Sequence, residues 1–375
     1  MHVHLREPGQ THKETLPTGT RAAARGGFTF VACMPNTSPV LDSALTLQEL
    51  RRRITEEAVI EVGIIAAVTL GSRGEELTDF AALKRAGAIG FSDDGRGVQS
   101  AAVMRRALQQ AAAAGLPLLA HCEDESLAGG GVLNEGPAAA DRCLLGIPAE
   151  AESAHVARDL VLAERSSAHY HVCHLSCEQS LRLVRAAKLR GQAVSCEVTP
   201  HHLLLTDADI ENDDANYKMN PPLRTAADRA ALLAGLVDGT VDAIATDHAP
   251  HTPAEKSRGL KGAPFGVIGL ETAFPLLYTH LVEPGLITLP RLVQLLTSGP
   301  AKILGLPRRG LRAGAAADLT LVDLHAARPI AEPELRSKSR NTPFLHRVVR
   351  GWPLCTIAGG RVAYSEIPHL PSQDV

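Results

Sequence analysis

Six side chains able to bind a metal recur along this chain at the ends of short apolar runs. His2 and His4 flank a single residue in "MHVHLREPG"; Asp93 and Asp94 follow "AIGFS"; His121 closes "LPLLAHC"; His174 lies in "AHYHVCHLS"; Asp247 closes "VDAIATD". Only one of the two adjacent aspartates is needed to complete the six, and spacing alone leaves Asp93 and Asp94 equal. Neutral imidazoles and carboxylates suit Zn2+, and four His with two Asp suffice for two ions sharing a bridging carboxylate. Such a pair makes water a nucleophile near neutral pH and polarises a carbonyl oxygen. Asp247 is placed to take the proton from that water and return it to a leaving nitrogen. The His-x-His pair by itself carries little weight. Among sixteen histidines, about one such pair arises by chance, and His169 with His171 is a second.

The weight comes from the elements that must hold these groups. Eight β-rich runs alternate with Ala/Leu/Arg-rich stretches of helical periodicity: "HVHL", "FTFVACM", "IEVGIIAAV", "AIGFS", "LPLLAHC", "AHYHVCHLS", "AVSCEVT" and "VDAIATD". Continuous apolar strands alternating with helices indicate a parallel sheet covered on both faces. Eight of them predict a (β/α)8 TIM-type barrel, whose chemistry sits at the C-terminal ends of the strands. A six-stranded dinucleotide-binding sheet is the alternative, but no GxGxxG follows the first strand. All six metal-competent positions fall on the predicted rim, whereas His169 and His171 sit earlier in their strand. Cys173 is expected on the opposite face from His174. After residue 305 short strands and Gly-containing turns predict a small β appendage. The chain is therefore read as a barrel over 1–305 and a small β unit over 306–375.

Bulk properties agree with an enzyme of small molecules. The 375 residues are 45% hydrophobic with a net charge of −3, and aromatics are only 3%, so neither nucleic acid nor an acidic membrane is an indicated partner. The seven cysteines show no zinc-ribbon spacing, and most are expected to be small buried thiols in a reducing cytoplasm. No signal peptide and no apolar run of about 18 residues is present.

Residues without a metal role describe the substrate. Arg6 follows the His pair and could clamp a carboxylate in bidentate fashion. Asn36 in "CMPNTSP" and Asn220 in "KMNPPLR" offer amide contacts. His251, four residues past Asp247, could meet an anion or a carbonyl, and the Gly/Pro/Lys-rich segment 251–266 reads as a mobile lid.

The motifs "HVHLREPG", "MPNT", "GFSDDGRGVQ", "HCED", "HVCHLS", "CEVTPHHL", "KMNPPLR", "ATDHAPH", "PFGVIGLE", "SKSRNTPF" and "GGRVAY" occur in order along nearly the whole chain. Together they resemble bacterial class I dihydroorotases of the amidohydrolase superfamily. That resemblance implies zinc-dependent, reversible closure of N-carbamoyl-L-aspartate to L-dihydroorotate, the third step of pyrimidine synthesis. It implies His2, His4, Asp94, His121, His174 and Asp247 as ligands of two zinc ions, with Asp94 the bridge and Asp247 the catalytic acid/base. It further implies substrate contacts at His4, Leu5, Arg6, Asn36, Asn220, His251, Phe265 and Gly266. As partners it admits a second copy of the chain and aspartate transcarbamoylase.

Hydantoinases, dihydropyrimidinases and allantoinase are the rival enzymes, but they bridge their metals with a carboxylated lysine, and "FSDDG" has none. A ligand-depleted scaffold for aspartate transcarbamoylase is the non-enzymatic rival, and here all six ligands are kept. One departure stands out. The family pattern has an Asp just before the position of Met1 and about fifty further upstream residues that build part of the small β-domain. Without them the strands in "LTLVDL" and "VVRGWPLCTI" are expected to carry unpaired edges, and a start assigned too far downstream is the reading that fits an intact ligand set.

Overall fold

A computed structural model describes residues 1–307 and 310–370, so the end of the unit expected over 306–375 lies outside the described residues. The barrel strands are short apolar runs: β1 (Phe30–Cys33), β2 (Glu61–Ala66), β3 (Ala88–Phe91) and β4 (Leu118–Ala120). A small excursion follows, in which β5 (Leu133–Asn134) pairs with β6 (Gly146–Ile147). The barrel resumes with β7 (Tyr170–Val172), β8 (Val194–Val198) and β9 (Ala243–Ile244). Seven of these strands form one curled parallel sheet in the order β1-β2-β3-β4-β7-β8-β9. The eighth element is the amino-terminal segment. Val3 bridges in parallel to Cys33 on one side and to His248 on the other. Its N–H donates to Ala32 O (3.2 Å), its C=O accepts from Met34 N (2.9 Å), and His4 N donates to His248 O (2.8 Å). The predicted (β/α)8 barrel is thus closed by the residues that carry the His-x-His pair.

The strands read as continuous apolar runs because both faces are covered. Val31, Cys33, Ile64, Phe91, Tyr170 and Val172 pack outward against the helices, while Ala32, Met34, Ile65, Leu119, Cys173, Ala243 and Ala245 form a separate interior cluster. Helix 101–114 shows how the outer layer is specified. Ser100 caps its first turn, and Val103, Met104, Ala107, Leu108 and Ala111 bury one face at helical spacing. Thr15, Ser43 and Thr225 each form a reciprocal box with the residue three positions on, a contribution of about 1 kcal/mol per cap.

Beyond the barrel, β10 (Leu319–Asp323), β13 (Trp352–Ala358) and β14 (Arg361–Ser365) make an antiparallel sheet in the order β10-β13-β14. Between them β11 (Arg328–Pro329) pairs with β12 (Val348–Val349). The sheet lies on helix 16–25, with Thr356 Oγ1 donating to Ala24 O (2.6 Å). In this sheet β10 and β14 are the edges and β13 is central, so the edge expected in "LTLVDL" is open while that expected on β13 is paired on both sides. The chain then comes back to the barrel. Ser337 and Lys338 close on Glu14, and Asn341 closes on the loop after β9.

Candidate metal centre

The rim gathers all six expected ligands. Asp94 stands at the middle: Oδ1 is 3.2 Å from His2 Nε2, 3.6 Å from His174 Nε2 and 4.0 Å from His121 Nδ1, while Oδ2 is 3.5 Å from His4 Nε2. Asp247 Oδ1 lies 3.0 Å from His4 Nε2 and 3.5 Å from His2 Nε2. One carboxylate therefore reaches every histidine of the set, as a bridge must. Asp93 is turned away and pins the end of β2, accepting from Val68 N (2.9 Å), Thr69 N (3.1 Å) and the Thr69 hydroxyl. The geometry that spacing left open is decided in favour of Asp94.

Whether these residues suit a metal can be judged from their unmet polar atoms. His2 Nε2, Asp94 Oδ1, His121 Nε2 and His174 Nδ1 are buried without hydrogen-bond partners, a costly state unless something binds there. His2, His4 and Asp247 present ligand atoms within 4.8 Å of one another, and so do His2, Asp94 and His174. The donor set fits zinc. Burial disfavours charge on both aspartates, but the surrounding histidines outweigh it. His2 leads at Asp94 and, with His4, at Asp247, and both stay well below the usual carboxylate range. His121 is driven to about 3 by burial beside His174, so its imidazole is neutral and free to ligate.

Local backbone geometry explains how some of these side chains reach the rim. His169, His171 and Cys173 alternate into the barrel interior, which would send His174 outward. His174 instead adopts φ 34°, a left-handed conformation uncommon for a residue with a Cβ, and is thereby brought to the rim. Asp247 (φ 44°) and Arg6 (φ 61°) share that conformation. Cys173, expected to face away from the site, lies inside the barrel with its thiol within 4.8 Å of ligand atoms of His2 and Glu197.

The expected substrate residues divide into two groups. Arg6 and His251 stand together beside the ligands. Arg6 Nε donates to Pro250 O (3.1 Å), and its NH2 group donates to His251 Nε2 (3.1 Å). Burial lowers Arg6 to about 10, against the pull of Asp247 and Asp94, so it remains a cation. Asn220 joins them as a group with capacity to spare, its Oδ1 buried and unpartnered. The others are engaged by the protein itself. Asn36 accepts from His4 Nδ1 (2.9 Å) and donates to Asp94 Oδ2 (3.1 Å). The Leu5 side chain belongs to the hydrophobic core. Gly266 donates to Lys218 O (3.0 Å) and accepts from Lys256 Nζ (2.9 Å) and Asn341 Nδ2 (3.0 Å). At φ 132° a Cβ there would meet Ala249 Cβ at 2.7 Å and Ala249 O at 2.9 Å, so only glycine fits. Phe265 is half-buried under the Lys218 ammonium, 4.6 Å from its ring.

The segment expected to be a mobile lid combines exposed residues, among them Pro253, Ala254, Arg258 and Lys261, with buried anchors. It forms helical turns at Pro253–Lys256 and Gly259–Gly262, and buried Lys256 donates to Lys218 O, Pro264 O and Gly266 O. Its Gly/Pro/Lys composition resembles an exposed loop because composition does not reveal that this lysine points inward. Two residues close to the site carried no assigned role in the sequence. Asn341 donates to Ala249 O (3.0 Å) and accepts from His251 N (3.1 Å), tying the C-terminal region to the pocket. Glu197 accepts from His2 Nδ1 (2.9 Å). A carboxylate inside the apolar run "AVSCEVT" was the legible sign of it.

The family model described as dihydro-orotase-like matches residues 1–180. The dihydroorotases of Geobacillus sp. (strain WCH70) and Bacillus caldolyticus are each 55% identical over 366 residues, 98% of this chain and 86% of theirs. The chain belongs to the dihydroorotase family. The dihydroorotase of Brevibacillus brevis is 54% identical over 368 residues. Among solved structures, the L-hydantoinase (dihydropyrimidinase) of Arthrobacter aurescens superposes with a TM-score of 0.89 at 26% identity, covering 100% of this chain and 85% of that one. The D-hydantoinase of Thermus sp. follows at 0.81 and 26%, over 97% and 83%. Dihydroorotases and hydantoinases thus share the barrel, and this chain stands far closer in sequence to the former. All seven cysteines are free, and no helix among the described residues is long and apolar enough to cross a membrane.

Proposed function

We propose that this chain is a dihydroorotase, closing N-carbamoyl-L-aspartate reversibly to L-dihydroorotate and water as the third step of pyrimidine synthesis. The single observation that carries the reading is the position of Asp94, within 4.0 Å of four rim histidines and with Asp247 alongside. In this reading His2, His4, Asp94, His121, His174 and Asp247 would hold two zinc ions per chain, with Asp94 as the ligand placed to serve both. Zinc bound there supplies an acidified water and a polarised carbonyl.

The remaining chemistry falls to the chain's own residues. Asp247, kept ionised by its histidine neighbours, accepts on its carboxylate the proton released by the attacking water and returns it to the ring nitrogen that departs on hydrolysis; in cyclisation the sequence reverses. Arg6 binds the substrate carboxylate that does not react, and His251, which accepts from Arg6, holds the guanidinium beside the ligands. Asn220 offers its free Oδ1 to a ring N–H. The Asn36 amide holds His4 and Asp94 at a common distance from the reacting centre. A hydantoinase reading has structural likeness behind it, but Arg6 next to the metal set suits a charged ring substrate rather than a neutral one.

Zinc-loaded protein is expected to hydrolyse dihydroorotate and to ignore hydantoin and allantoin. Asp247→Asn should lose about 10²–10⁴-fold in kcat with an unchanged far-ultraviolet spectrum. Turnover of hydantoin without turnover of dihydroorotate would overturn the proposal.

A further inference from the structure

The interior of the barrel is not uniform. Ala32 on β1, Met34 just after it, Ile65 on β2, Leu119 on β4 and Ala243 on β9 fill it with apolar groups. The sector of β7 and β8 is polar instead. His171 and Ser195 face each other in register, with His169 below and Glu197 above. His171 and Glu197 are completely buried and Ser195 nearly so. Burying such groups costs stability unless each is hydrogen-bonded, and the same barrel shows that apolar filling was available.

These four residues form a chain that ends on the metal centre. His169 Nε2 is 2.7 Å from Ser195 Oγ, and Ser195 Oγ is 2.8 Å from His171 Nδ1. His171 Nε2 faces Glu197 Oε2 at 3.4 Å, and Glu197 Oε1 is 2.9 Å from His2 Nδ1. A carboxylate only accepts, so His2 must donate to Glu197 through Nδ1, while His171 Nε2 faces the other carboxylate oxygen at 3.4 Å as a charge contact rather than a hydrogen bond. His171 Nδ1 then accepts the Ser195 hydroxyl proton, and the Ser195 oxygen accepts from His169 Nε2. This assignment of protons satisfies the three hydrogen bonds of the chain. It leaves His2 with its lone pair on Nε2, the atom that lies 3.2 Å from Asp94 Oδ1 and 3.5 Å from Asp247 Oδ1. Asn36 does the same for His4, accepting from its Nδ1.

We propose that Glu197, braced from beneath by His171 and Ser195, is a positioning residue that fixes the tautomer and ring orientation of His2 and so sets the metal affinity of the centre. The inference rests on the metal-centre reading above. Carboxylate–histidine pairs behind a metal are worth about 10–100-fold in affinity.

The test uses the whole chain, stripped of metal and titrated with zinc against a chromophoric chelator, with the visible spectrum of the Co2+-loaded protein as a second readout. Glu197→Gln is expected to weaken zinc binding about 10–100-fold and to alter the cobalt spectrum. His171→Asn should shift both in the same direction by less, and it carries the test if Glu197→Gln does not fold, as judged by metal-free unfolding. Unchanged affinity and spectrum in folded variants overturns the proposal. So does loss of one whole metal equivalent, shared by Cys173→Ser and leaving the remainder untouched, since Glu197 would then be a ligand in the group His2, Cys173 and Glu197. Failure of the unaltered chain to bind zinc would instead remove the metal-centre reading itself.

Discussion

Arg6 shows how much one side chain can carry at this site. Its backbone is left-handed (φ 61°), its Nε is held by Pro250 O, and its NH2 group meets His251. Left-handed conformations in residues other than glycine cost about 1–3 kcal/mol and persist only where the surroundings enforce them. Here the gain is a preorganised guanidinium next to the ligands. Charge-assisted hydrogen bonds are worth about 1.5–3 kcal/mol, so Arg6→Met should raise KM for dihydroorotate roughly 10–150-fold, while kcat falls much less. Steady-state kinetics on dihydroorotate and on an uncharged ring analogue check this. An equal loss on both substrates would remove the carboxylate clamp.

At the scale of elements, the loop after the first strand is joined to the returning C-terminal segment through Glu14. Its carboxylate accepts from Lys338 N (3.0 Å) and from the Ser337 and Thr18 hydroxyls. His248 Nε2 stands 3.5 Å away. His248 is a neutral donor rather than a cation, since its Nδ1 accepts from Gly269 N (3.2 Å) and burial lowers its pKa. Burial pushes Glu14 upward, yet the donors around it win and its pKa lies below the ordinary value. A carboxylate depressed in the folded state adds stability that is complete above the unfolded pKa of about 4.3 and is lost as pH falls through the folded value. Glu14→Gln should therefore cost about 1–3 kcal/mol at pH 7, with the difference from the parent shrinking below about pH 4. Urea unfolding of the metal-free proteins across that range measures it, and a difference independent of pH would contradict the assignment.

For the whole molecule, the metal centre ties together the amino-terminal strand and the ends of β3, β4, β7 and β9. A ligand bound only by the folded state stabilises by mass action, about 4 kcal/mol at a thousand times its Kd. Chelation is thus expected to lower the thermal midpoint by several degrees for a chain of this size. Zinc should restore it, and magnesium should not. A midpoint indifferent to chelator would mean that no metal is held there.

The barrel was readable because periodicity reports burial: largely apolar runs alternating with helices are what strands covered on both sides require, and only the β7–β8 sector carries a polar inner face. The ligands were readable because strand ends map to the rim. Alternation failed at His174 and Cys173, where a single left-handed residue exchanges which of two neighbours reaches the centre. Composition likewise did not reveal that Lys256, within 251–266, turns inward. The sequence alone determined the fold class, pointed to the six candidate ligands as a set and, through ordered motifs, gave the family. Only the tertiary structure decided between Asp93 and Asp94, brought Asn341 back across the fold and stacked His171 and Glu197 beneath His2. Those relations join residues up to 195 positions apart, and no local pattern encodes contacts that exist only once the barrel has closed.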